Sequence, residues 1–321
     1  MDDPMPGRRS ESTVHIVVTC TNRKRQVVPE SLRLGNLREQ QQGLRFAEWT
    51  RRLTAEPPTV RAHDLYGGQH WNIARGLPTL VGAPARLWVC SAGYGLVDVD
   101  AYLHPYAATF SIGNEDSVGR DKLETRQWWQ RLTDWAGPSA DKPRSFADLA
   151  RQDPDATIVA VLSNTYLPAC ADDLRTAAGL LRSADRFTVI GPNLPARGLE
   201  DVVIPIPARL RSVVGGSLHV LHARAAAHLL SQIVANGADL SHRNLREVAL
   251  HAVDTAPPDT SRRAPGVRLS DDAVREYIRS HRGVEKSSAT RLLRRLRDSG
   301  QSCEQGRFKH LYHEIAREVE N

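Results

Sequence analysis

LWVCSAGYGLVDVDAYLHPY, Leu87–Tyr106, is the stretch on which the reading of this chain turns. Leu87–Cys90 is a short apolar run preceded by Gly82-Ala-Pro84, the pattern of a strand covered on both faces. It stops at Ser91-Ala-Gly-Tyr-Gly95, where two glycines permit backbone conformations or close approaches closed to other residues. Asp98 and Asp100 follow at alternate positions, then His104, Pro105 and Tyr106. Ligands of open α/β sheets bind just beyond the carboxyl ends of strands, so a strand emptying into Gly, Tyr, Asp and His is a candidate site. The plain alternative is a polar turn with a packed tyrosine.

Working outward, two similar runs flank this one. Val14–Cys20 (VHIVVTC) is β-branched and reads as a central first strand, followed by Thr21-Asn-Arg-Lys-Arg25. Backbone amides, a hydroxyl and three cations there suit a phosphate, with a solvated basic loop as the alternative. Thr157–Leu162 is a further buried strand, ending in Ser163-Asn-Thr-Tyr166. Phe187–Ile190 and Val202–Ile206 read as strands, the last an edge because of its prolines. Val60–Tyr66 reads as a second strand closed by Gly67-Gly68, with His70, Trp71 and Arg75 opening the next helix.

Helical spacing covers Leu32–Leu53, Thr125–Trp135, Phe146–Ala150, Leu174–Leu181 and Leu218–Ala235. Trp128, Trp129 and Trp135 are expected to pack in the core, and His219 and His222 to be surface histidines. Ser111–Gly119 reads as a mobile surface segment. Strands alternating with helices imply an α/β fold with a mostly parallel central sheet flanked by helices.

The composition, 321 residues with 40% hydrophobic and 25% charged, is that of a globular protein of two domains. The opening MDDPMPGRRSES reads as a disordered tail over residues 1–12, with no apolar core for a signal peptide, and no run is long enough to span a membrane. A cytoplasmic location is expected. The four cysteines lack metal-ligand spacing, so neither a metal nor a disulfide is expected; with no Walker loop or zinc constellation in the sequence, no cofactor is expected either. Net charge is +6, and from Ser261 onward 14 Lys/Arg stand against 9 Asp/Glu, five of the six excess charges.

An α/β domain is placed at 13–254, a Pro/Ser/Thr-rich linker at 255–265 and a small all-helical module at 266–321. In that module Ser270 and Ser287 or Ser288 suit helix caps, and Gly283–Lys286 a turn. Leu292, Leu293 and Leu296 form an apolar face, with Arg291, Arg294, Arg295 and Arg297 outside. A third helix is expected over Cys303–Val319. The arginine face suits nucleic-acid phosphates, with a solvated docking helix as the alternative.

Four ordered segments resemble one family. SAGYGLVDVDAYLHPYAATF (91–110) is similar to the S-x-x-Y-G-[LV]…PY segment of the peroxide-stress protein YaaA family and related uncharacterised bacterial proteins. VHIVVTCTNRK (14–24) resembles that family's first strand and basic loop, DLYGGQHWNIARGL (64–77) its Y-x-G segment, and IVAVLSNTY (158–166) its strand ending in S-[ND]-x-Y. The span SATRLLRRLRDSGQSCEQGRF (288–308) looks like a helix-turn-helix module found at the ends of several bacterial proteins. The arrangement also resembles the uracil-DNA-glycosylase type of α/β domain, as in anti-phage glycosylases, without that type's water-activating motif.

The chemistry drawn from this is base recognition in DNA. Thr21, Asn22, Arg23 and Lys24, with the four C-terminal arginines, would hold phosphates. Tyr94, Tyr106 or Trp71 would stack on an extruded base beside Tyr66, Ser91 and Ser163, and Asn164 would read its edge or place water. Asp100, in preference to Asp98, would be the carboxylate stabilising an oxocarbenium-like transition state, although the YaaA pattern keeps no acid at either position. Three activities stay open: a DNA glycosylase acting on a modified base, as in defence against phage; a non-catalytic DNA-binding stress protein; an enzyme on free modified nucleotides. The oligomeric state is not legible.

Overall fold

A computed structural model describes residues 13–139, 141–192, 197–257, 266–281 and 288–320. The expected tail over 1–12, most of the linker, the Gly283–Lys286 turn and Ser287 lie outside them. The chain divides into two compact units, residues 1–257 and 258–321.

In chain order, the first unit holds β1 (Val14–Thr19), α1 (Gln42–Leu53), β2 (Val60–Arg61), α2 (Ala62–Leu65), α3 (Gln69–Ala74), β3 (Ala85–Ser91), β4 (Gly95–Asp98) and β5 (Tyr102–Leu103). It continues with α4 (Lys122–Asp134), α5 (Phe146–Gln152), β6 (Thr157–Val161), α6 (Tyr166–Leu180), β7 (Phe187–Pro192), β8 (Val203–Ile206), α7 (Arg211–Val214), α8 (Leu221–Ala235) and α9 (His242–Asp254). Six strands form one sheet in the order β4-β3-β1-β6-β7-β8. All neighbours are parallel except β3 and β4. The three apolar runs of the sequence are thus adjacent strands at the sheet's centre. All six residues of β1 and all five of β6 are buried, which a strand packed by helices on both faces requires. β8 is an edge, as Pro205 within it and Pro207 just after it imply.

Chain order reverses between β1 and β6. From β1 the chain crosses to β3 on one side, and later returns to β6 on the other before running outward through β7 and β8. That reversal opens a crevice at the carboxyl ends of β1 and β6.

Several expectations change. SAGYGL is not an open loop but the tight turn of a β-hairpin: Ser91 pairs with Gly95 and Trp88 with Asp98, so the chain doubles back along β3. Gly95 takes a φ of +78°, and at Gly93 an added Cβ would lie 2.5 Å from the Tyr106 ring. In Val60–Tyr66 the strand is Val60–Arg61, pairing with Tyr102–Leu103 outside the main sheet, because the Ala62 and His63 amides bond Ala101 and Val99 and turn the chain into α2. Leu32–Leu53 is broken into two 3-10 turns and α1, with Gly35 drawn against Asp116, whose Oδ1 accepts from its amide at 3.0 Å.

Trp128 and Trp129 are buried as expected, whereas Trp135, expected in the core with them, is half-buried against it. Trp49 donates to Gly93 O and Trp128 to Ala92 O, both at 2.9 Å, and Trp129 donates to Asp173 Oδ2 at 3.0 Å. Two of these bonds clamp the hairpin turn itself.

The second unit contains β9 (Val267–Arg268), α10 (Asp271–His281), α11 (Ala289–Asp298), β10 (Gln301–Ser302) and α12 (Gln305–Glu320). Its core is Val274, Ile278, Leu292, Leu293, Leu296, Cys303, Phe308, Leu311 and Ile315. Ser270 and Ser288 accept from the Ala273 and Arg291 amides as N-caps. The third helix begins at Gln305, two residues later than the sequence suggests, because Gln301–Ser302 pairs with Val267–Arg268 and the Glu304 carboxylate accepts from the Gly306 and Arg307 amides. Among the described residues no helix is long and apolar enough to cross a membrane.

Candidate functional site

At the crevice between β1 and β6 lies a cavity of about 260 Å³. It is lined by Thr19 and the segment after β1 to Asn22, and by Val161, Leu162, Ser163, Thr165 and Tyr166 at the end of the neighbouring β6 and beyond. Thr109, Ser111, His70, His219 and His222 complete the described lining. The volume lies just under the roughly 300–1,000 Å³ typical of small-molecule sites. The lining is hydroxyl, amide and imidazole, with no carboxylate among the described lining residues. His70, in the first turn of α3, sits with Nε2 3.3 Å from Thr19 Oγ1. Burial lowers its pKa; that of His222 falls to about 4, from burial first and then from the nearness of His70. Both imidazoles are therefore neutral at pH 7. Cys20 Sγ and Tyr166 OH meet at 2.9 Å on the cavity floor. Among the described residues no cluster of His, Cys, Asp or Glu could hold a metal ion.

The expected site residues fall into three groups. Thr21, Asn22 and Ser163 line the cavity. Thr21 Oγ1 is shared between the Arg23 and Gly67 carbonyls, at 2.8 and 3.1 Å, so it shapes the loop. Asn164, between two lining residues, is exposed and not part of the wall. Arg23 is exposed and lies along Gly67–Gly68. Lys24 turns inward: its Nζ donates to Thr21 O at 2.5 Å and sits 4.3 Å from the Tyr106 ring centre and 5.2 Å from that of Tyr66. Burial lowers its pKa. An ammonium held over core rings is poorly placed to receive a phosphate, which corrects the expectation for Lys24.

The aromatic group is sealed. Tyr66, Tyr94, Tyr106, Trp71 and Ser91 are at most 1% exposed. Tyr106 OH bonds Ser91 Oγ at 2.6 Å and Tyr66 OH at 3.0 Å, and Ser91 Oγ also accepts from the Gly93 and Tyr94 amides. Tyr94 OH accepts from the His104 amide at 3.0 Å, and Trp71 donates to His63 O. Burial drives the pKa values of Tyr66, Tyr94 and Tyr106 up, so all are neutral phenols. As placed, these rings offer no face to a base; they hold the hairpin against α1 and α3. Arg144 completes the seal, donating to the carbonyls of Leu96, Tyr94 and Trp135, with burial lowering its pKa to about 10.

Asp98 and Asp100 lie away from the cavity end of the sheet. Asp98 pairs with Trp88 at the middle of β3 and the Val99 amide bonds Leu87 O one residue nearer its start, so the chain runs away from the carboxyl ends that form the cavity. Asp98 Oδ1 accepts from the Asp100 amide at 3.0 Å, and Asp100 is exposed, 4.0 Å from Arg61. Antiparallel return of the chain is what carries both acids away.

Sequence reasoning missed the histidine wall. His219 is exposed as expected, but it shares a cavity with His70 and the half-buried His222, and Ser111 also lines it. The three-residue spacing of His219 and His222 was the available signal; their meeting with His70 is a tertiary event.

On the second unit, Arg291, Arg294 and Arg295 are exposed on α11 and make no ion pair among the described residues. Arg297 donates to Cys303 O at 3.0 Å and ties α11 to β10.

The fold and site together define an open, mostly parallel α/β protein with a neutral polar cavity at its switch point, continued by a helical unit with an arginine face. No family model, curated protein or solved structure matches the chain.

Proposed function

We propose that this protein acts on DNA, taking one nucleotide out of the stack into the switch-point cavity and hydrolysing its N-glycosidic bond, with α11 supplying phosphate contacts. The supporting observation is the cavity itself: base-sized, placed where strand order reverses, and lined by hydroxyl, amide and imidazole groups that suit the edges of a nucleobase. With Asp98 and Asp100 far from the cavity, His70 is the group suited to water activation. Its neutral imidazole, set against Thr19, would accept a proton as water attacks the sugar carbon and the bond electrons leave with the base. Arg291, Arg294 and Arg295 would add salt-sensitive, sequence-tolerant affinity.

A second reading, binding without cleavage, is favoured by one observation. No carboxylate among the described lining residues is available to stabilise a developing oxocarbenium ion. Incubation with modified and unmodified duplexes, followed by alkali and gel analysis, separates the two: strand breaks at abasic sites support cleavage, and salt-dependent binding without breaks supports the second. Base release from mononucleotides but not from duplexes would instead indicate an enzyme on free nucleotides. Replacing Arg294 with Ala is expected to lower the log–log salt slope of binding by about 0.9 if it neutralises a phosphate.

A further inference from the structure

Resting on the reading that the cavity receives a nucleotide, we propose that His219 and His222 form a phosphate-holding wall, so that the occupant carries its phosphodiester into the cavity and binds with uptake of a proton. His219 belongs to the 3-10 turn Leu218–Val220 and His222 to the first turn of α8, and both line the cavity. The other polar groups around it are neutral: the Thr19, Ser163 and Thr165 hydroxyls and the Asn22 amide. They can donate to an anion but cannot balance its charge. Among the described lining residues, imidazole is the group able to acquire a positive charge near physiological pH.

The groups around His222 leave that proton under the control of the ligand. Beside it α3 presents His70; Cys20 follows β1, α6 begins at Tyr166, and the turn before α8 brings His219. On α8 itself Arg224 donates to Val214 O, and on the basic loop Arg23 lies against Gly67–Gly68 at the start of α3. No carboxylate among the described lining residues offsets them. Burial and the neighbouring imidazole suppress protonation of His222 in the free protein. An anion at hydrogen-bond distance reverses that balance, whereas a neutral base would not. The neighbouring imidazoles then divide the work: His70 stays neutral to accept a proton, and His222 becomes cationic when the site is filled.

The test compares dinucleoside monophosphates with their methylphosphonate analogues, which keep the bases and sugars and lose only the charge. Calorimetry on the full chain between pH 5.5 and 8 is expected to show tighter binding of the phosphodiester by about tenfold at the acid end, the scale of one hydrogen bond to a charged group. Its affinity should rise by up to about tenfold per pH unit on acidification, with proton uptake, while the analogue stays flat. The α11 arginines cannot mimic this, since guanidinium keeps its charge throughout. A double variant, His219→Gln with His222→Gln, should lose the pH-dependent part while its thermal transition persists. Equal affinities, a phosphodiester affinity independent of pH, or a slope that survives in the folded double variant would overturn the phosphate wall and leave the nucleotide-binding reading standing. No binding of either compound would overturn both.

Discussion

β1 and β3 lie side by side, run in the same direction and end in polar segments flanked by aromatic residues, yet only the end of β1 opens into a cavity. The difference lies in the path of the chain beyond each strand. After β1 the chain leaves the sheet and its next neighbour across the opening, β6, belongs to the other half of the fold. After β3 the chain turns within three residues and pairs back along the strand it has just left, so the space beyond the strand end fills with its own turn, two indoles and a hydrogen-bonded tyrosine pair. A polar strand end is a site where topology leaves a gap, and a structural plug where it does not.

The comparison is broken most directly at the plug. Tyr106→Ala removes a fully buried ring that touches Trp49, Tyr66 and Tyr94 and leaves the Tyr66 and Ser91 hydroxyls short of a partner. A loss of about 3–5 kcal/mol is expected from the cavity created, read as a lower urea midpoint. If the variant is as stable as the parent, the hairpin is not the sealed element described.

Gly93→Ala probes the same plug by filling instead of emptying it. The new methyl would sit 2.5 Å from two carbons of the Tyr106 ring. Overpacking of this kind costs about 1–3 kcal/mol, again read from the urea midpoint. The size of the response distinguishes a rigid ring from one able to shift.

Acidification sharpens the comparison from the cavity side. An unfolded imidazole takes up its proton near 6.5, whereas His222 in the fold does so only at about 4. Between these values the unfolded state binds more protons, so stability is full above pH 6.5 and is lost as pH falls toward about 4. His70 contributes in the same direction. His222→Asn should therefore flatten the acid limb of a melting-temperature profile while leaving stability at pH 7.5 nearly unchanged. An acid limb of unchanged steepness would mean that His222 is as free to protonate in the fold as in water.

The legibility of each element in the sequence depends on the range of its signal. The central strands are readable because six residues of VHIVVT and five of TIVAV carry their burial in their own composition. The proline-bearing edge is readable for the same reason. The hairpin is not: Ser91-Ala-Gly-Tyr-Gly95 suits a ligand loop and a tight turn equally, and only pairing with residues already passed decides between them. The histidine wall is less legible still. His70 and His222 are separated by most of the unit, and nothing local to either indicates that α3 and α8 pack together.

The smallest expected effect decides most sharply where the chemistry resides. Asp98 and Asp100 resemble catalytic acids because they follow a strand end at alternate positions, but register places Asp98 opposite Trp88, back toward the start of β3. Asp100 is exposed beside Arg61 at 4.0 Å, a surface pair worth about 0–1 kcal/mol. Asp98 does accept the Asp100 amide in a short turn, so Asp98→Asn, which keeps a side-chain oxygen for that bond, isolates the charge. Asp98→Asn and Asp100→Asn are each expected to change stability by no more than about 0.5 kcal/mol and to leave nucleotide affinity and any base release at the parent level. His70→Asn, at the other end of the sheet, should abolish release while leaving the fold intact. Loss of release in either aspartate variant with the fold retained would return the chemistry to the β3–β4 hairpin and make the cavity between β1 and β6 a bystander.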